Sequence, residues 1–213
     1  MSIRFGALKV TTPPAQEPVT VGQAKAQLRI THTKDDVYLA GLISVAREWA
    51  EDYTRRAFIT QQLVAQYVNW PLQFTKNAAE VDAAFIIPRP PLASVQSVNY
   101  YDNLDAAQTL ATSQYRVDAI QDPGTVMLKQ INYPNSYGPT LSQNYVNPIT
   151  IAFTCGYGDS AAAVPARIKQ AILIMVAHLY TRRTPVEIDM RIVQVEVPFS
   201  AAELLDPLKL RLV

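Results

Sequence analysis

Two helical segments, separated by a long strand-like stretch, constrain what this chain can fold into. The first runs from about Asp35 to Arg56 and the second from about Val164 to Thr184. Neither segment can bury its apolar side alone, so the two are expected to pack together as one discontinuous helical platform. Apolar residues at helical spacing form the two stripes: Leu39, Leu42, Ile43, Ala46, Trp49, Ala50 and Tyr53, then Ile168, Ala171, Ile172, Met175 and Leu179.

Between the two helical segments the sequence changes to short runs rich in Val, Ile, Thr and Tyr, broken by Pro and Gly. Such spacing predicts five to seven strands in a small antiparallel sandwich or barrel. The fold class is therefore α+β. Residues 1–57 and 159–213 are assigned to the helical platform and residues 58–158 to the inserted β domain. Residues 1–19 have no clear pattern, and residues 133–147 are expected to form an exposed loop.

Local signals predict shorter elements at both ends of the chain. Thr20 with Gln23, and Ser200 with Glu203, have the spacing of capping boxes that begin short helices. Residues 186–197 alternate with one phase slip, which indicates an arm with a β-bulge. In the tail, Leu208, Leu210 and Leu212 alternate with Lys209 and Arg211, as in a strand with one apolar face. That strand either pairs with another chain or folds back onto its own domain.

Composition and charge exclude several classes of protein. The 213 residues are 49% hydrophobic and carry a formal net charge of +1, whereas proteins that grip DNA through its phosphates usually have a clear basic excess. Cys155 is the only cysteine, so no intrachain disulfide forms. The strongest apolar run, Ala171 to Ala177, is too short to cross a membrane and predicts a buried helix. The chain is expected to be soluble and made in the cytoplasm.

No arrangement of residues points to catalysis, and no cofactor is predicted. Nucleotide-binding glycine motifs and the zinc-protease motif are missing from the sequence. Cys155 and His178 could in principle form a nucleophile and its base, but a thiol at the end of an apolar strand is ordinarily a buried core residue. One cysteine and two histidines do not make a structural zinc site. The chain is predicted not to be an enzyme.

Charged residues at the end of the first long helix are the candidate subunit contacts. Glu51 and Arg55, and likewise Asp52 and Arg56, lie four residues apart and would be neighbours on the helix surface. They form either a solvated face or salt bridges between neighbouring copies of the chain.

Nine segments of the chain form a series that runs in order from about residue 18 to 207. They are Pro18–Arg29, Asp35–Arg56, Ile59–Gln61, Pro88–Leu92, Ser94–Val95, Gln114–Asp118, Phe153–Gly158, Val164–Tyr180 and Val197–Leu205. Each segment is unspecific alone, but the ordered series resembles the phage head–tail connector family, whose short members are adaptor proteins of long-tailed phages and whose longer members carry an inserted β region. The loop at 133–147 and the tail beyond Pro207 depart from the family.

The resemblance implies a structural subunit of the virion neck, with no catalytic residues. Such subunits form a homo-oligomeric ring, typically twelvefold, which docks under the portal protein, extends the DNA channel without sequence-specific binding, and receives a stopper or tail-completion protein. Family members often dock on the portal through their C-terminal segment, which here places Leu208, Leu210, Leu212 and Val213 as candidate portal-binding residues. Another neck protein such as the stopper, and a hydrolase dependent on Cys155, remain the alternatives.

Overall fold

The computed structural model of the chain describes residues 5–71, 84–129, 138–182 and 199–210. It divides into two compact units. The sheet unit comprises Met1–Pro13 and Thr60–Gly156, and the helical unit comprises Pro14–Ile59 and Tyr157–Val213. The sequence instead predicts domain boundaries at residues 58 and 158. A domain is a part that folds independently, which compactness alone does not test, so those boundaries stay a prediction.

Four α-helices build the described part of the helical unit: α1 (Val21–Leu28), α2 (Asp36–Thr54), α3 (Ala166–Thr181) and α4 (Phe199–Leu205). The predicted stripes of the two long helices meet in one core, where Leu39 and Ile43 of α2 are buried together with Ile168 and Ile172 of α3. Because these apolar faces come from opposite ends of the chain, the platform is discontinuous in sequence. No helix in the described ranges is long and apolar enough to span a membrane.

The ends of the helices follow from local chemistry. The predicted capping box is present at α1, since the Thr20 side chain accepts from the backbone N–H of Gln23 and the Gln23 side chain accepts from that of Thr20. α2 ends at Thr54 because Arg55 adopts a left-handed conformation with φ of 57°. The helix therefore stops two residues earlier than predicted, and Arg55 and Arg56 lie beyond its last turn.

The sheet unit contains two antiparallel sheets, of five and three strands, with the orders β1-β2-β8-β4-β5 and β3-β7-β6. This confirms the α+β class with an inserted β region. Neither sheet closes on itself among the described strands, so the barrel form of the prediction is replaced by two open sheets. The strands are β1 (Phe5–Thr12), β2 (Gln61–Tyr67), β3 (Ala84–Ile86), β4 (Leu92–Tyr101), β5 (Ala107–Thr109), β6 (Tyr115–Asp118), β7 (Thr125–Leu128) and β8 (Ile149–Cys155).

Aromatic side chains connect the two sheets. The ring of Tyr67 on β2 lies 4.7 Å from that of Phe85 on β3, and the Tyr67 hydroxyl donates to the carbonyl of Ile86 at 2.8 Å. Trp70 packs against both Phe85 and Tyr100. Burial raises the pKa of Tyr67, which therefore stays a neutral donor at any physiological pH. These contacts fix the smaller sheet against the larger one.

The first strand lies within residues 1–19, where the sequence has no clear pattern and predicts no strand. β1 forms an edge of the larger sheet and pairs with β2, with Val10 opposite Leu63. Seven of its eight residues are exposed and only Leu8 is half-buried, so the strand shows no alternation of apolar and polar residues. The predicted arm at 186–197 lies outside the described residues.

Candidate interface for subunit assembly

The outer face of α2 carries apolar side chains that the core does not cover. Val37, Gly41, Val45, Glu48 and Asp52 follow one another at spacings of three or four residues, and all are exposed. The side chain of Val37 is 89% exposed and that of Val45 is 53% exposed. We call these five residues the outer face of α2. Val37 and Val45 lie about two turns apart on the side of α2 that faces away from the core, and exposed apolar residues on one side of a helix are a typical anchor for a helix from another chain.

The shape of this face suits close approach of a partner. A Cβ built at Gly41 would have no atom within 4 Å, so the space between the two valines is open. At the C-terminal end the face becomes acidic, with Glu48 and Asp52 exposed. Small residues between larger apolar ones permit tight packing of helices, and charges at the edge favour one orientation of the partner.

The inner side of α2 is held by a buried network of charged groups. Arg47 is 8% exposed and Glu51 is 6% exposed. The guanidinium donates to Glu17 at 2.8 Å and to Glu51 at 2.9 Å, and the other oxygen of Glu17 accepts from Ser44 at 2.7 Å. Burial lowers the pKa of Arg47, but Glu51 and Glu17 outweigh it, so the pKa is raised overall. The network ties the segment before α1 to α2, and it reaches the outer face of α2 only at Glu48, which accepts from Arg47 at 3.3 Å.

The structure separates the four predicted subunit contacts into two pairs. Asp52 and Arg55 are exposed, whereas Glu51 and Arg56 are buried. Glu51 accepts from the backbone N–H of Phe58 at 2.8 Å, and Arg56 donates to the carbonyl of Leu208. The expectation of a solvated surface is therefore wrong for Glu51 and Arg56, because the chain turns back over this end of α2. The role of the four residues in subunit contact stays a prediction.

The described part of the tail lies against the helical unit. Leu208 ends a 3₁₀ helix, Asp206–Leu208, and packs on the helical core, so its predicted strand conformation is wrong. The backbone N–H of Leu210 donates to the carbonyl of Thr54 at 2.9 Å. Leu212 and Val213 lie outside the described residues, and portal binding by the tail stays a prediction.

Val37 and Val45 are the functional candidates that the sequence analysis missed. Both lie within the long predicted helix but off its inward stripe, at a spacing of eight residues. An apolar pair on the side of an amphipathic helix opposite its core is itself a signal of a second packing surface. The inward stripe already supplies the apolar residues that the core needs. Two further valines outside that stripe were therefore a signal that the sequence contained.

Cys155 and His178, the two residues considered for catalysis, lie in different environments. Cys155 is completely buried at the end of β8. Partial burial and the charge of Arg182 lower the pKa of His178. Within the described ranges no three His, Cys, Asp or Glu side chains are grouped so that they could hold a metal ion.

Comparison with known proteins agrees with this architecture. Residues 18–109 match the family model described as phage gp6-like head–tail connector protein. One similar solved structure is a virion of the native gene transfer agent (GTA) particle, at TM-score 0.72 and 18% identity over 98% of both chains. Another is the neck of the native GTA particle computed with C12 symmetry, at TM-score 0.67 and 19% identity, again over 98% of both chains.

A third structure, the neck of the empty GTA particle computed with C6 symmetry, matches at TM-score 0.72 and 18% identity over 98% of both chains. No curated protein sequence matches the chain. The family match confirms the resemblance to head–tail connectors over residues 18–109, and the structural matches show the same fold over nearly the whole chain. Together they support a structural neck protein.

Proposed function

We propose that this chain is the adaptor of a phage-like particle, a structural protein of the virion neck. Copies form a closed ring, which docks under the portal protein, extends the DNA channel and offers its far side to a stopper or tail-completion protein. The observation that carries the proposal is the match of residues 18–109 to the head–tail connector model. The likeness of the whole fold to chains of GTA necks, one of them computed with C12 symmetry, supports the ring.

The outer face of α2 supplies a contact by which such a ring would assemble. Its exposed valines need a cover of apolar surface, and a closed ring provides one for every copy through head-to-tail contacts. Fully covering two valine side chains contributes on the order of 1.5–3 kcal/mol each, before the losses of freedom on association. Asp52 and Arg55, exposed at the end of the helix, are proposed to lie at the edge of this contact.

A near-neutral chain suits a channel through which DNA passes. The formal net charge is +1, so a ring of such subunits neither traps the phosphate backbone nor repels it strongly. Such a subunit performs its function through the free energy of binding its partners and through the geometry of the ring. The tail, with Leu208, Leu210, Leu212 and Val213, is proposed to reach the portal, and residues 186–197 to reach the next component.

Electron microscopy of the purified protein tests the proposal. Negative staining of the chain, alone and mixed with its portal protein, is expected to show closed rings. A protein that stays monomeric with the portal present contradicts the adaptor function.

Cross-linking within assembled particles distinguishes the adaptor from a stopper. Direct cross-links to the portal protein are expected of an adaptor. Cross-links to tail proteins alone would assign the chain to the tail side of the neck instead.

A further inference from the structure

The hairpin between β4 and β5 ends in an exposed apolar tip. Leu104, in the turn of the hairpin, is 82% exposed, and Val146, in the neighbouring loop, is 83% exposed. The ring of Tyr145 is stacked on that of Tyr101, with 3.9 Å between centroids and 4° between planes. We call residues 99–109 and 138–148 the tip. It presents two large aliphatic side chains to solvent beside a stacked aromatic pair.

Hydrogen bonds within and between the two parts of the tip order its backbone. One carboxylate oxygen of Asp102 accepts from the backbone N–H groups of Leu104 and Ala106, and the other accepts from Gln108 at 2.8 Å. Asp105 accepts from the side chains of Ser142 and Asn144. A surface that is ordered before binding loses less conformational entropy on binding. The tip is therefore ordered in advance for a contact that the described part of the chain does not supply.

The charge of the tip indicates what it contacts. Asp102 and Asp105 are the only charged residues in its sequence, so its net charge is −2. Hydrogen bonds from Gln108 and from two backbone N–H groups lower the pKa of Asp102, and those from Ser142 and Asn144 lower the pKa of Asp105. Both are therefore ionised at neutral pH. Such a surface repels nucleic acid and favours a protein surface that is apolar and basic.

The smaller sheet carries a face of that kind. Opposite residues in antiparallel strands share a face, so Met127 of β7 lies beside Ala84 of β3 and Arg116 of β6. Met127 is 42% exposed and Ile86, two residues along β3, is 38% exposed. Lys129 follows on the same side by alternation. We call Ile86, Met127, Arg116 and Lys129 the outer face of the smaller sheet.

One acidic residue, Asp118, also lies on this side, since it pairs with Thr125 in the register that places Arg116 beside Met127. Its carboxylate is turned into the following turn, where one oxygen accepts from the backbone N–H groups of Ile120 and Gln121 at 2.9 and 3.1 Å. The cations on the outer face of the smaller sheet thus flank Met127, while the acidic group is engaged within its own loop.

We propose that the tip of one copy docks on the outer face of the smaller sheet of the next copy, with Leu104 against Met127 and the tip carboxylates beside Arg116. This inference rests on the proposed ring. It gives neighbouring copies a second contact, besides the one proposed at the outer face of α2. Each copy carries one acidic apolar tip and one basic apolar face, which is the arrangement that a head-to-tail contact requires. Within the described residues, Leu104 remains 82% exposed and Val146 83% exposed.

Disulfide trapping between two variants tests the proposed contact. Leu104→Cys and Met127→Cys proteins are prepared separately, mixed, assembled and oxidised mildly, so any bond between the introduced thiols joins different copies. Cys155 is buried and stays unreactive in the folded protein. A covalent dimer on a non-reducing gel is expected from this mixture. Leu104→Cys mixed with Val10→Cys, an exposed position on β1, serves as the control and is expected to remain monomeric.

The outcomes separate this inference from the ring itself. Rings that form without the Leu104–Met127 dimer, or that give the control dimer equally, overturn the tip contact and leave the adaptor function standing. Failure of the wild-type chain to assemble with or without portal overturns both.

Charge reversal gives a second readout that a misfolded cysteine variant cannot imitate. Arg116→Glu is expected to raise the protein concentration needed for assembly by at least about tenfold, since it places like charges together. Adding Asn103→Lys, at an exposed position between Asp102 and Leu104, to Arg116→Glu is expected to restore assembly, since it keeps Leu104 and brings a cation to the tip. Lys9→Glu, the same reversal at an exposed residue of β1, is expected to leave assembly unchanged. Equal effects of Arg116→Glu and Lys9→Glu, or no rescue by Asn103→Lys, contradict the contact.

Discussion

The guanidinium of Arg47 and the carboxylate of Glu51 form a buried ion pair across one turn of α2, with Nη1 2.9 Å from Oε2. Glu51 also accepts from the backbone N–H of Phe58, and Arg47 also donates to Glu17. This pair fixes the start of the helical unit and the chain beyond α2 to one side of the helix. The other side carries the exposed Val37 and Val45, which are proposed to contact a neighbouring copy.

Removing the cation from this network is expected to destabilise the helical unit strongly. Arg47→Ala leaves the carboxylates of Glu17 and Glu51 without the cation that they share, and loss of one member of a buried pair typically costs about 3–5 kcal/mol. Urea denaturation measures the loss in free energy of unfolding. Glu48→Ala, which removes an exposed partner of the same arginine, is the control and is expected to change stability by less than about 1 kcal/mol. Similar losses in the two variants contradict the network.

The two functions of Glu51 are separable by substitution. Glu51→Gln keeps an oxygen that accepts from Phe58 N–H, while Glu51→Ala removes both that acceptor and the charge. Glu51→Ala is therefore expected to be the less stable of the two, by about 1–3 kcal/mol, because it leaves a buried donor unsatisfied. Equal stability of the two variants in the same urea titration indicates that the contact with Phe58 contributes nothing.

The carboxylates of the tip predict an acid-dependent loosening of the β4–β5 hairpin. Both Asp102 and Asp105 have pKa values lowered by their hydrogen bonds. A lowered folded-state pKa contributes stability above the unfolded value of about 3.9, and that contribution is lost as the pH falls through the folded value. Carboxyl resonances followed by NMR are expected to show both residues titrating below ordinary aspartate.

Crossed variants check which hydrogen bonds set these pKa values. Ser142→Ala is expected to raise the pKa of Asp105 and leave that of Asp102 in place. Gln108→Ala is expected to raise the pKa of Asp102 and leave that of Asp105 in place, because the Gln108 amide donates to Asp102 and the Ser142 hydroxyl donates to Asp105. A shift of both carboxylates in either variant points to a general opening of the tip instead.

Shortening the tail is expected to separate portal docking from folding. The described part of the tail is fixed by the carbonyl of Leu208 and the N–H of Leu210, which contact Arg56 and Thr54. Deletion of residues 211–213 leaves both contacts in place, so the melting temperature and ring formation are expected to stay unchanged. Binding to portal, measured by co-sedimentation, is expected to fall at least about tenfold. If the shortened protein binds the portal as tightly as the wild type, residues 211–213 do not contribute to portal docking.

Much of the fold was accessible from sequence because its strongest signals are periodic. Leu39 and Ile43, and likewise Ile168 and Ile172, lie at the spacing of one helical turn, and all four are buried in the core as expected. The strand β8 alternates buried and half-buried residues along its length, which is the pattern of a sheet with one covered face. Thr20 and Gln23 marked the start of α1 through a purely local hydrogen-bonding requirement.

The remaining features depend on contacts between distant residues. β1 has little apolar patterning because its side chains are exposed on both faces, and its place follows from pairing with β2. Arg55 ends α2 by adopting a left-handed conformation, which is uncommon for a residue with a Cβ and has no spacing signal. Glu51 appeared to be a surface residue because the partner that buries it, the N–H of Phe58, belongs to the backbone.

Mass measurement of the assembled protein tests the central claim, that copies of this chain close into a ring through the outer face of α2. Native mass spectrometry of the wild type, alone and with portal, is expected to show one closed oligomer. The Val37→Asp/Val45→Asp double variant is expected to be monomeric with an unchanged free energy of unfolding, while Val10→Asp assembles normally. Rings that persist in the double variant, or a wild type that remains monomeric beside its portal, would contradict the account.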